Sequence, residues 1–344
     1  MAKYHPLREL SLARLREFLR EPEAVFWTYG FPLLLAVGLG IAFRNRPVEK
    51  IYVDVVAQAR ATEIARVLKQ DPGMVVEVHG EQECRDHLRL GKSSLVVVPG
   101  AVVTYVFDPS RPESELAHQR VDDVLQRAAG RKDPLQSREK LVTEPGARYI
   151  DFLVPGLLGM NLMGGGMWGV GFVIVDMRVK KLLKRLVATP MKRTHFLWSI
   201  IGSRLVFTIP ELVVILGSGV LFFGVAVRGS AFSIVLLCLV GAISFAGLGL
   251  LVACRAQRIE TVSGLMNLIM LPMWLLSGIF FSADRFPDSL QPLVQALPLT
   301  QLNNALRAVI LEGAPLTSQF WSLLILAAWG GIPFLLALRW FRWN

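Results

Sequence analysis

Residues 88–94 read LRLGKSS, and Gly91, Lys92 and Ser93 are the residue types that close a phosphate-binding loop around a nucleotide. The opening glycine of such a loop would stand at 86, where this chain has Asp86. The motif is incomplete, and Gly91 is read as a helix-ending glycine. The five histidines, His5, His79, His87, His118 and His195, are scattered, and no HExxH or CxxC accompanies them. No metal site is expected from that spacing. A GxSxG nucleophile elbow is also missing, so no catalytic residue is assigned and the chain is not expected to be an enzyme.

The remaining chemistry lies in or beside apolar runs. Arg204 and Glu211 fall in one run, the latter just after Pro210, while Asp151 and Asp176 sit at the two ends of another. An ion-driven carrier places several carboxylates near the midplane, which one glutamate does not supply. Glu211 is read either as a contact to a polar substrate group or as a hydrogen bond to a neighbouring helix or a partner subunit. The run FLVPGLLGMNLMGGGMWGVGFVIV sets Gly165 and Gly169 four apart, a spacing that lets another helix approach closely. Its Met160, Asn161, Met163, Met167 and Trp168, with Asn267, Met270 and Trp274 of NLIMLPMWLLSG, offer adaptable side chains for a hydrophobic path. Helix packing and a substrate path both fit these residues.

These residues must be positioned by membrane-crossing helices. The chain has 344 residues, 53% hydrophobic and 19% charged, more apolar than a soluble domain. The excess is gathered into six runs, 24–43, 150–175, 198–227, 231–253, 262–281 and 320–338. Each is about twenty residues or longer, enough to cross a hydrocarbon core of roughly 30 Å. Between the first two runs, residues 44–148 hold 17 basic and 16 acidic side chains. There, strand patterns at 50–56, 74–80, 93–100 and 102–109 alternate with helical ones at 61–70, 81–91 and 113–129, which predicts a small α/β domain. The expected fold is an α-helical integral membrane protein of six transmembrane helices with that domain outside the cytoplasm.

The formal net charge of +10 sits almost entirely in loops and span ends, which points to membrane topology and not to nucleic acid. RVKKLLKRLVATPMKR, residues 178–193, holds seven basic residues and no acid between the second and third runs. With Arg14 and Arg16 ahead of the first run and Arg339 and Arg342 at the end, it places both termini and this loop in the cytoplasm. Residues 1–23 form an amphipathic interfacial helix ended by Pro22, and 282–316, broken by Pro287, Pro292 and Pro298, form short helices that dip into the outer leaflet and return. Asp176, Arg178, Lys181, Lys184, Arg185 and Pro190 mark a loop of 176–195 on which a soluble partner could push.

Four stretches resemble the permease subunit of type-2 ABC exporters, in the group with a large exterior domain after the first span: FLVPGLLGMNLM, KRLVATPMKRTHFL, LRLGKSSLVVVPG and the block from Ser277 to Gly313. Many relatives carry roughly ExxGTLERL in the basic loop, where this chain reads RVKKLLKRL, with Arg178 at the Glu place and Lys181 at the Gly place. The resemblance implies a permease of a bacterial inner membrane that exports a hydrophobic or amphipathic substrate. It implies no cofactor on this chain, ATP and Mg on a separate cytoplasmic ATPase, and a second permease copy or paralogue. In relatives the N-terminal surface helix and the basic loop receive the ATPase's movement. A membrane-anchored receptor or assembly factor, binding an envelope component through the exterior domain, is the alternative.

Overall fold

A computed structural model of the chain describes residues 6–44, 50–132, 148–187 and 193–341. The described residues form two units, one drawn from Met1–Arg44 and Val142–Asn344 and the other from Asn45–Leu141. The polar stretch 130–147 falls mostly outside the described residues, as do Pro190 and Arg342.

The first unit is helical. Helix α1 (Pro6–Arg20) ends where Pro22 starts a new helix, since proline supplies no N–H to continue the old one but suits a first turn. Among the described residues, six helices are long and apolar enough to span a membrane: Pro22–Ala42, Tyr149–Val179, His195–Phe223, Ala231–Ala253, Ile259–Leu276 and Leu316–Trp340. The second and fourth are interior, 61% and 67% buried, against 17% for the first and 22% for the fifth. Small residues explain that ranking. A Cβ on Gly166 would lie 2.5 Å from Phe245 Cβ, and one on Gly249 would lie 2.9 Å from the carbonyl oxygens of both Gly166 and Met167. Without side chains at these positions the second and fourth spans meet backbone to backbone, which maximises dispersion contacts where lipid offers no hydrophobic drive. Gly247 and Gly330 bring the fourth and sixth spans together in the same way.

The fifth span is shorter than the apolar run that encodes it. Its helix stops at Leu276, and Gly278 follows in the left-handed region at φ 69°. Side chains from the Pro-interrupted segment hold that end. Asn303 donates to the Ser277 carbonyl at 2.8 Å, and the half-buried Arg307 donates to the carbonyls of Gly278 and Phe152. Its guanidinium also lies over the Phe152 ring. The Ser277 and Gly278 carbonyls are ones that a helix C-terminus leaves without partners. The segment itself forms two helices, Gln291–Ala296 and Pro298–Glu312, with Pro292 and Pro298 in their first turns.

The second unit is an α/β fold built from β1 (Ile51–Val56), α2 (Ala61–Leu68), β2 (Met74–His79), α3 (Glu81–Leu90), β3 (Leu95–Val98), β4 (Thr104–Val106) and α4 (Pro112–Ala128). The strand order is β2-β1-β3-β4, parallel except for β4. Val53, Val55, Met74, Val76, Leu95 and Val97 pack on α2 and α4, while Val56 and Val96 on the opposite face pack on Cys84 of α3. Gly91, at φ 71°, caps α3, which is the structural use of the glycine in LRLGKSS.

Arg120 of α4 donates from Nε and from a terminal nitrogen to the two oxygens of Asp71, both at 2.9 Å, tying α4 to the turn before β2. This pairing holds the Asp71 carboxyl below its ordinary 3.8. A depressed carboxylate contributes stability above its unfolded pKa and loses it as pH falls through the folded one. Arg120 is 42% exposed, so solvent screening limits the pair to about 0.5–1 kcal/mol. Arg120→Ala is therefore expected to lower hydrogen-exchange protection in β2 and α4 by that amount at neutral pH, with the difference from wild type fading below pH 3.8. An unchanged gap at low pH would remove the carboxylate from the account.

Candidate functional site

A cavity of about 610 Å³ lies among α1 and the first, second, third and fifth spans. Its wall is apolar and aromatic, with Phe18, Trp27, Phe31, Trp168, Phe172, Phe207, Met160, Met270 and Trp274 contributing. Two π-helical turns border it, Phe26–Gly30 and Trp168–Phe172. Each wider turn shifts the side-chain register by one position, which aims Trp27 and Thr28, and Trp168, Gly169 and Phe172, at the same space. No sequence pattern marked these turns.

The polar groups of the cavity are divided between two regions. Arg204 and Asn161 line one part. Arg204 is 5% exposed and forms a two-pronged ion pair with Glu211, one prong at 2.7 Å and the other between a guanidinium nitrogen and Oε1. Glu211 is fully buried behind it. Seven residues make nearly two whole turns, so the two side chains share one helix face. The partner of Glu211 seen here is thus Arg204 of its own helix. Arg204 Nε and Asn161 Nδ2 are buried and have no hydrogen-bond partner among the described residues. Both are donors, so an acceptor oxygen is what would satisfy them. Elsewhere the rim carries Glu17 and Glu21 of α1, with Asp176 and Lys180 at the end of the second span, the last two paired at 2.8 Å.

Met160, Asn161, Gly165, Trp168, Gly169, Met270 and Trp274 thus come together at one cavity, with Asp176 at its rim. Met163 and Met167 do not line it, because a helix has several faces and theirs is fully buried in the core against the interior spans. Asn267 lies exposed on the fifth span, away from the cavity lining. The pair Gly165 and Gly169 is also not the close helix crossing that its spacing suggested. Gly165 gives room to the Arg204 guanidinium, and Gly169 faces open space. The tight crossing uses Gly166 and Gly171, one or two residues round the helix.

In the basic loop, Lys184 and Arg185 are exposed on a short helix, Leu182–Val187, seated by the buried Leu183. Lys181 is exposed too, at φ 56°. That left-handed conformation costs a residue with a Cβ roughly 1–2 kcal/mol and suits glycine, the residue that the family pattern has there. Arg178 points inward instead. It donates to the carbonyls of Ala253 at 2.9 Å, Cys254 at 3.2 Å and Ala256, so it fastens the loop to the end of the fourth span. Arg14 and Arg16 lie in α1, Arg16 exposed, and α1 packs on the third span with its Phe18 ring 4.4 Å from that of Phe207, a cavity residue.

Six apolar helices and an aromatic cavity with inward-facing donors describe a multi-pass membrane protein of the transporter class. Residues 23–339 match the ABC-2 family transporter protein model, and the chain belongs to that family. It is also similar to ABC transporter G family member 20 of Dictyostelium discoideum, 24% identical over 189 residues. That match covers 54% of this chain, which spans only 26% of the relative's length.

Proposed function

We propose that the chain is the permease subunit of an ATP-driven exporter for an amphipathic molecule. The observation that carries this reading is the cavity, which joins apolar aromatic walls to two unpartnered donors, Arg204 Nε and Asn161 Nδ2. A cargo that fits has an apolar body against Trp168, Phe172, Met270 and Trp274 and an acceptor oxygen, such as a carboxylate or phosphate ester, toward Arg204. The work comes from a separate cytoplasmic ATPase that holds ATP and Mg.

That ATPase engages Lys184, Arg185, Lys181 and α1 from the cytoplasmic side, in keeping with the excess of basic residues there. Movement of α1 reaches the cavity through Phe18 and Phe207. Movement of the basic helix reaches it through the chain from Lys180 to Asp176 at the rim, and Arg178 carries the same motion to the fourth span. Two permease copies work as a pair across the exposed faces of the first and fifth spans. The α/β unit lies outside the cytoplasm, and the helices at 291–312 lie in the outer leaflet.

Copurification tests the partnership: an ATP-hydrolysing subunit in stoichiometric amount is expected in gentle detergent. Reversing both charges, Lys184→Glu with Arg185→Glu, is expected to lower ATP-driven transport in vesicles by tenfold or more, because loss of an interface charge pair costs about 2–5 kcal/mol. Membrane insertion should be unaffected. Transport at the wild-type rate by the reversed variant, or transport that survives ATP depletion, would overturn the reading.

A further inference from the structure

Three residues that lie far apart in the sequence meet on the α/β unit. Asp54 stands in the middle of β1, between Val53 and Val55, and points to the face covered by α3. At 5% exposure it is a carboxylate at a position where a parallel strand buried on both faces normally carries an aliphatic side chain. His87, one turn after Glu83 on α3, sets its Nδ1 3.0 Å from Asp54 Oδ2. His79, at the end of the adjacent strand β2, points to the same face, and its ring meets the His87 ring edge-on at 4.9 Å. One candidate ligand atom from each of the three lies within 4.8 Å of the others.

We propose that Asp54, His79 and His87 form a binding site for a borderline divalent cation such as zinc. Two imidazoles and a carboxylate make the donor set that such ions select over magnesium or calcium, which prefer all-oxygen shells. Bonds of about 2.0–2.2 Å put tetrahedral ligands about 3.3 Å apart, so the trio must close by about 1.5 Å from its 4.8 Å spread. The His79 and His87 side chains, 23% and 21% exposed, have the freedom to do so and leave a path for the ion. Two further carboxylates reach His79, Glu77 at 2.9 Å from Nε2 and Glu83 at 3.3 Å from Nδ1. Glu77 orients the His79 ring through Nε2 as the outer partner of a metal-binding imidazole, and Glu83 supplies an oxygen as the fourth ligand. Cys84 is not a ligand, because its thiol is turned to the His79 carbonyl at 3.6 Å. The ion would join β1, β2 and α3, fastening the helix that covers this face of the sheet.

The site does not depend on the transport reading and is tested without it. The full chain, purified in detergent without a histidine tag and stripped with chelator, is titrated with Co²⁺ and followed by visible absorption. One equivalent should bind with the spectrum of imidazole-ligated tetrahedral Co²⁺, and Zn²⁺ should displace it. His79→Gln and His87→Gln are each expected to weaken binding by about 10–100-fold or more, since even outer-shell partners are worth that much. Zn²⁺ should also raise hydrogen-exchange protection in α3 of the wild type but not of the variants. If a histidine variant loses its far-ultraviolet circular dichroism, the isosteric Asp54→Asn takes its place with the same expected loss. Co²⁺ uptake that is absent in the wild type, or equal in wild type and a folded variant, would overturn the site.

Discussion

Arg204→Met is expected to destabilise the helical unit by about 3–5 kcal/mol, because it leaves the Glu211 carboxylate fully buried with no cation beside it. The double variant Arg204→Met with Glu211→Leu is expected to recover most of that loss or to exceed the wild type. Two apolar side chains of similar volume avoid the desolvation that the ion pair only partly repays. Thermal unfolding in detergent separates the cases, with the single variant well below the wild type and the double near or above it. Additive losses in the double variant would mean that the two side chains do not act as a pair. The same double variant addresses function. If the pair is retained to present Arg204 Nε to cargo, the refolded double variant should be stable and transport-deficient, a combination that a purely structural pair cannot produce.

Gly166→Val and Gly249→Val carry the second large effect. Each new side chain would meet atoms that cannot rotate away, the Phe245 backbone in one case and the carbonyls of Gly166 and Met167 in the other. The two interior spans would have to move apart along their shared length. A cost of about 3 kcal/mol or more is expected, at the upper end of overpacking in a core. Gly169→Val is the control, since a Cβ there has no neighbour within 4 Å. It should change stability by about 1 kcal/mol at most, the scale of a helix-propensity difference, and act instead by narrowing the cavity. Equal unfolding temperatures for Gly166→Val and Gly169→Val would contradict the crossing described above.

These contrasts show where sequence reading stops. Gly165, Gly166 and Gly169 differ little by type or spacing, yet one admits a guanidinium, one a neighbouring backbone and one open space. Met160 and Met163 are both flexible and apolar, and only the first reaches the cavity. The face that a helical residue presents follows from the pattern, but what stands opposite that face does not. The two π turns add to this, because each rotates the following side chains by about one position relative to a regular helix. Arg178 belonged by charge with Lys184 and Arg185, but the carbonyls at the end of the fourth span draw it inward.

Legible in the residues alone were six apolar helices, the α/β alternation between the first two, the amphipathic N-terminal helix and the short helices broken by prolines before the last span. Those features rest on local physics: apolar length, the periods of 2 and 3.6, and the missing N–H of proline. It took packing to show that Glu211 and Arg204 stand before a cavity, that Gly166 and Gly249 let the two interior spans meet, and that His79 and His87 meet at Asp54. The Arg204–Glu211 pair has the seven-residue spacing of one helix face, but what that face looks onto, like the helix crossing and the meeting of His87 with Asp54 33 residues away, follows from packing that no residue's type or spacing encodes.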